Sequence, residues 1–165
     1  MEWLQLYTTA CLCLLAQTQR TAVRNVALNG VATQSSNRHT AAEAIDGRMR
    51  DYSCSSTKVE ADPWWRVDLR EKHQIAAIKI ANSQSADKAG IYGAEIHIGD
   101  SNRNHGNDNP KCATVGRIGL GDTKTFDCRG MQGRYVNIIR PGKKHLTLCE
   151  VVVLGQPLFV IKNCE

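Results

Sequence analysis

Beyond the first nineteen residues the apolar and polar positions of this chain alternate with a period of two. "GAEIHIG" sets Ala94, Ile96 and Ile98 on one face and Gly93, Glu95 and His97 on the other. "WWRVDL" does the same, with Trp65, Val67 and Leu69 opposed to Trp64, Arg66 and Asp68. "TKTFDC", "RYVNII" and "LTLCEVVVL" are further β-rich runs, bounded by turn residues such as "GLGD" and "RPGKK". No later segment carries a helical stripe longer than about two turns. Many short strands at roughly regular spacing predict an all-β sandwich or jelly roll. There is no internal repeat and no low-complexity region. The stretch "IANSQSADKAGIYG", residues 80–93, joins two apolar runs. It is expected to be a rim loop, where binding groups concentrate.

The 165 residues suffice for one domain with a real core and are too few for two comfortable ones. Residues 1–19 have the look of a signal peptide: "LQLYTTACLCLLA" has the length of an apolar h-region and is too short to span a bilayer. Ala16 and Thr18 offer one small-x-small cleavage pattern, although no basic residue precedes the segment. The alternative is a buried first helix. Secretion into the extracellular space is the expectation. Losing Glu2 with that segment raises the formal net charge from +5 to +6. The cations (Arg48, Arg50, Lys88, Arg134, Arg140, Lys143, Lys144) are scattered rather than striped, which argues against a nucleic-acid partner. A basic surface still favours anionic cell-surface partners.

Of the seven cysteines, Cys11 and Cys13 leave with the signal, and Cys54, Cys112, Cys128, Cys149 and Cys164 remain. None forms a CxxC pair, so zinc or thioredoxin-type chemistry is poorly supported. In an oxidising compartment four pair and one is left over, and Cys164, close to the end, is the natural candidate. The five histidines fall on predicted loops and outward strand faces. With no G-x-S-x-G, HExxH or phosphate-cradling loop, an enzyme is not expected. "DSNRNHGNDNPK" mimics a calcium loop, but Gly106 is one place late and Lys111 stands where a bidentate Glu belongs.

Eight segments in order, "NVALNGVATQSS", "EAIDG", "DPWWRVDL", "GAEIHIGD", "NDNPKC", "GDTKTFDC", "GRYVNI" and "LCEVVV", together resemble the F-type lectins, the fucolectins of eels and other fish. The resemblance runs through a domain at residues 24–155. It implies a discoidin-like β-sandwich jelly roll, a structural calcium, an extracellular location and recognition of fucose-bearing cell-surface or microbial glycans in defence. It also implies that Cys54 pairs with Cys149 and Cys112 with Cys128. In the family pattern the calcium ligands fall on Glu43, Asp46, Arg48, Ser53, Cys149 and Glu150, with Glu43 and Arg48 replacing the usual asparagines. Carboxylates, a hydroxyl and backbone carbonyls are the hard oxygens that calcium takes. The other reading of this loop is a capping Asp46 with no metal.

F-type lectins grip fucose with a His, an Arg-x-Asp and a further cation, often beside a cysteine pair. In register those positions here are Ser56, Ser83, Ser85 and Gly90, and the cysteine pair becomes Ala86 and Asp87. The spacing survives while every ligand type has gone. The expectation is a fold that kept its scaffold and lost its fucose grip. The alternative is an adhesion module for a protein or membrane surface, with Met49 and Tyr52 as loop tips. Trp64 and Trp65, tempting as sugar platforms, belong to the scaffold. The tail "QPLFVIKNCE", residues 156–165, suggests a subunit contact, with Cys164 linking two copies of the chain.

Overall fold

The computed structural model describes residues 22–48, 53–86 and 90–158. The signal-like segment, Met49, Tyr52, Asp87 and Cys164 lie outside them. Eleven strands make up the described fold: β1 (Arg24–Asn25), β2 (Val31–Gln34), β3 (Ser55–Ser56), β4 (Glu60–Ala61), β5 (Trp64–Ala81), β6 (Glu95–Gly99), β7 (Lys111–Thr114), β8 (Thr123–Ile139), β9 (Lys143–Lys144), β10 (Thr147–Leu148) and β11 (Glu150–Pro157). All strand pairings among the described residues are antiparallel, and the only helical turns there are three short 3-10 turns.

Two long strands organise everything else. β5 and β8 pair with each other almost throughout, from Trp64↔Ile139 to Ala81↔Thr123. Their pairing jumps register between Asp68 and His73 and again between Ile75 and Ala77. Outer partners change at the first jump: β2 borders β5 over Trp65–Asp68, and β11 borders it over His73–Ala81. One continuous ladder thereby serves two leaves, β2-β5-β8-β6-β7 and β1-β11-β5-β8. This is the expected all-β jelly-roll sandwich. "TKTFDC" and "RYVNII", which read as separate runs, are the two ends of β8.

The second jump explains a change in the apolar pattern. Trp65, Val67, Leu69 and Ile75 are buried at odd positions, and Ile78 and Ile80 at even ones. Against β11, β5 carries one extra residue at this step, because Ile75 and Ala77 face the consecutive Gly155 and Leu154, and a one-residue bulge swaps which side chains face inward. Both halves of β5 thus face one core with Ile96, Ile98, Val136, Ile138, Val151 and Val153. Trp65 is fully buried, and its indole N–H donates to the Ala41 carbonyl at 2.9 Å. Trp64 stacks on the His105 ring with centroids 4.4 Å apart, which makes both tryptophans scaffold. Gly133 is required by a close approach: a Cβ there would stand 2.6 Å from the Gly99 amide nitrogen. Two histidines depart from expectation. His73 and His97 are buried, and His97 Nδ1 lies 2.7 Å from the Asn109 carbonyl. β11 runs to Pro157, so the domain extends slightly past residue 155.

The bend between leaves is fastened by charge. Arg134 Nε and Nη2 donate to the two carboxylate oxygens of Asp68, each at 2.7 Å, and the Arg70 amide donates to Asp68 Oδ1 at 2.7 Å. The Arg134 guanidinium, more than the Arg70 amide, holds the Asp68 carboxyl below its ordinary value near 3.8. A depressed carboxyl contributes stability that is complete above its unfolded-state value and is lost as pH falls through the folded-state one. The melting temperature should therefore begin to drop as the pH passes below about 3.8, partly through this pair. In Asp68→Asn the protein should be less stable at neutral pH and its acid-limb slope shallower, as read by circular dichroism melts between pH 7 and 2.

Candidate functional site

The predicted rim loop begins where β5 ends, at Ala81, and closes before β6. Its four degenerate positions are brought together in two pairs. Ser56 in β3 faces Thr147 in β10, with the hydroxyls 3.2 Å apart. The Thr147 amide donates to the Gly90 carbonyl at 3.1 Å. On the other side Ser83 Oγ accepts the Ser85 amide at 3.1 Å, and the Ser83 carbonyl accepts the Gly121 amide. Ser56 is 6% exposed and Ser83 only 3%. Both hydroxyls are therefore engaged inside the protein and are not displayed to a ligand.

Gly90 has a steric cause. A Cβ on it would lie 2.5 Å from both Cδ2 and Nε2 of His145. The imidazole fills the space through which a long cationic side chain would leave the backbone. His145 is held from behind, since Arg140 Nη1 donates to its carbonyl at 2.6 Å. Arg140 Nε also donates to the Tyr92 carbonyl at 3.1 Å, which ties the end of β8 to the rim loop. Burial lowers the Arg140 pKa from its ordinary value.

Arg140 and Arg117 line a cleft of about 330 Å³ together with Asn82, Ile91, Tyr92 and Ile118. Asn82 Nδ2 donates to the Ile118 and Gly119 carbonyls at 3.0 and 3.2 Å. Sequence reasoning missed this cleft. Its residues belong to separate connections, and only Tyr92, as an exposed-type aromatic in the rim loop, offered a signal.

The predicted cation loop lies at the disulfide-bonded base of β11. Cys54 joins Cys149 and Cys112 joins Cys128, as the family pairing implied. The first link places Ser53 and Glu150 at its two flanks. Glu150 is fully buried, yet neither of its carboxylate oxygens has a hydrogen-bond partner of good geometry among the described residues. Burial, and next the charge of Asp46, push its pKa up to about 7. The Gly47 and Arg48 amides oppose that rise, but they do not reach bonding geometry. Asp46 Oδ1 accepts the Arg48 amide at 2.9 Å, and Glu43 Oε1 accepts the Thr40 hydroxyl at 3.3 Å. Glu43 thus serves its own 3-10 turn, Ala41–Ile45. No three His, Cys, Asp or Glu side chains converge among the described residues. A cation here would draw on Asp46 and Glu150 plus backbone and hydroxyl oxygens.

The sequence profile of the NedA-like, galactose-binding domain family matches residues 43–138. Fucolectin-6 of Anguilla japonica is 43% identical over 141 residues, covering 78% of this chain and 74% of the relative. The chain belongs to the F-type lectin family. Among solved structures, a serum F-lectin (fucolectin) from striped bass, Morone saxatilis, superposes with a TM-score of 0.78 at 48% identity. That match covers 82% of this chain and 48% of the bass chain, so the present chain spans about half of that relative. A fucose binding module of Streptococcus pneumoniae superposes with a TM-score of 0.66 at 27% identity, covering 78% of this chain and 96% of the module.

The fit of His145 against Gly90 is measurable. Gly90→Ala should cost about 1 to 3 kcal/mol, the usual range for overpacking. The cost should shrink markedly in a His145→Ala background. A double-mutant cycle in urea that returns simple additivity would contradict the contact.

Proposed function

We propose that this F-type lectin is a secreted, non-enzymatic glycan-recognition domain, stabilised by calcium, whose family fucose grip has been lost. The observation that carries the reading is the replacement of all four gripping positions by Ser56, Ser83, Ser85 and Gly90 on an otherwise intact scaffold. A hydrogen bond to a charged group contributes about 1.5 to 3 kcal/mol, so losing three costs about 4 to 9 kcal/mol. A site of millimolar to micromolar strength has only about 4 to 8 kcal/mol in all. Free fucose should give no measurable heat in titration calorimetry. Micromolar binding that disappears on mutating Ser83 and Ser85 would refute the loss.

Secretion is supported by two disulfides, which persist in oxidising compartments. A role in defence, with a cell-surface or microbial glycan as partner, follows the serum F-lectin relative. A glycan array probed with and without chelator tests recognition and calcium dependence together.

Calcium is supported by Glu150. A buried carboxylate with no well-formed hydrogen bond among the described residues, beside the second carboxylate of Asp46, is a costly arrangement unless a cation completes it. Bound calcium would neutralise both carboxylates and fix the loop after the 3-10 turn. At a hundredfold excess over its Kd such a ligand stabilises by about 2.7 kcal/mol. For a domain of this size that is roughly 5 to 11 °C in melting temperature. In Glu150→Gln the calcium-induced shift should vanish, while the chelated protein should melt no lower than chelated wild type. An equal calcium shift in both proteins would exclude Glu150 as a ligand.

A further inference from the structure

We infer that the cleft lined by Arg117, Arg140, Tyr92, Asn82, Ile91 and Ile118 binds an acidic saccharide, with its carboxylate or sulfate on the two guanidinium groups and a ring face on Tyr92. The inference rests on the glycan-recognition reading above and assigns it a place other than the four degenerate positions. Three observations carry it.

The first is uncompensated charge. Among the described residues no Asp or Glu lines the cleft and neither arginine forms an ion pair. Arg140 spends Nε and Nη1 on backbone carbonyls, and its Nη2 meets no partner among the described residues. Arg117 has no side-chain partner among the described residues. A guanidinium fork matches planar or tetrahedral oxyanions bidentately, and does so best where water is partly excluded.

The second is the aromatic. Tyr92 is 64% exposed and its ring packs on no other ring among the described residues. An exposed aromatic with apolar neighbours suits the C–H face of a sugar ring, and Ile91 and Ile118 supply those neighbours.

The third is rigidity. Asn82 fastens one wall to the Ile118 and Gly119 carbonyls, and Arg140 fastens the other to the Tyr92 and His145 carbonyls. A volume of about 330 Å³ lies at the small end of ligand sites, which run from about 300 to 1,000 Å³. That suits one or two sugar residues. A preformed site loses little entropy on binding.

The test uses the mature protein and calorimetry with sialyllactose, a heparin-derived tetrasaccharide, neutral lactose, inorganic sulfate and a phosphotyrosine peptide. At least one acidic saccharide should bind, with lactose at least about tenfold weaker, and affinity should fall as salt is raised. Binding of sialyllactose alone would assign the carboxylate, and binding of the heparin fragment alone the sulfate. Arg117→Ala should weaken binding about tenfold or more, Arg117→Glu should abolish it, and Tyr92→Ala should weaken it. Melting temperatures should stay near wild type in the Arg117 variants. Arg140→Lys serves as the second cationic probe, because Arg140→Ala would also remove the ties to the rim. Equal affinity for lactose and the acidic sugars, or no effect of either Arg117 variant, would overturn the inference and leave glycan recognition standing. Binding of sulfate or phosphopeptide alone would overturn it too. No saccharide binding at all would overturn both readings.

Discussion

The pairing of β5 with β8 is the constraint from which the rest of the molecule follows. Two strands that run through both leaves cannot shift in one leaf without dragging the other. Every loop at the cleft end of the sandwich begins or ends on them or on their direct neighbours. The bend between the leaves needs Gly133 to let β8 approach β6 closely, and it needs the Asp68–Arg134 clamp to hold its outer side. Hydrophobic burial supplies the drive, but register decides which residues are buried. A bulge at the Ile75/Ala77 step reconciles one strand with a core that lies on both of its halves.

At the rim, the small residues Ser56, Ser83 and Gly90 face the protein interior. The serine hydroxyls bond to the chain, and the glycine yields its space to an imidazole. Positive charge has not left this end of the sandwich. It sits to the side, on residues that come from the connection after β7 and from the end of β8. One scaffold can carry different surface chemistry in this way, which is how one fold can serve several ligands.

Much of this architecture was legible in the sequence. The alternation in "GAEIHIG" and "WWRVDL" placed Ile96, Ile98, Trp65 and Val67 inside, and they are inside. The cysteine pairing came from resemblance, since spacing left several pairings open. The bulges were not legible, because an inserted residue resembles any other until its partner strand is known. Nor was the burial of His73 and His97, which depends on carbonyls supplied by neighbouring segments. The arginine cleft escaped for the same reason: Arg117 and Arg140 become neighbours only after β8 has run the length of the sandwich.

The hydrogen bond from the Trp65 indole to the Ala41 carbonyl reaches as far as the loop that carries Asp46. Ala41 opens the 3-10 turn that delivers Asp46. The tryptophan at the centre of the core therefore aims the acidic loop at the surface. Interior packing and the placement of the Asp46 carboxylate share one fastener in this domain, so any repacking of its centre would shift the acidic loop as well.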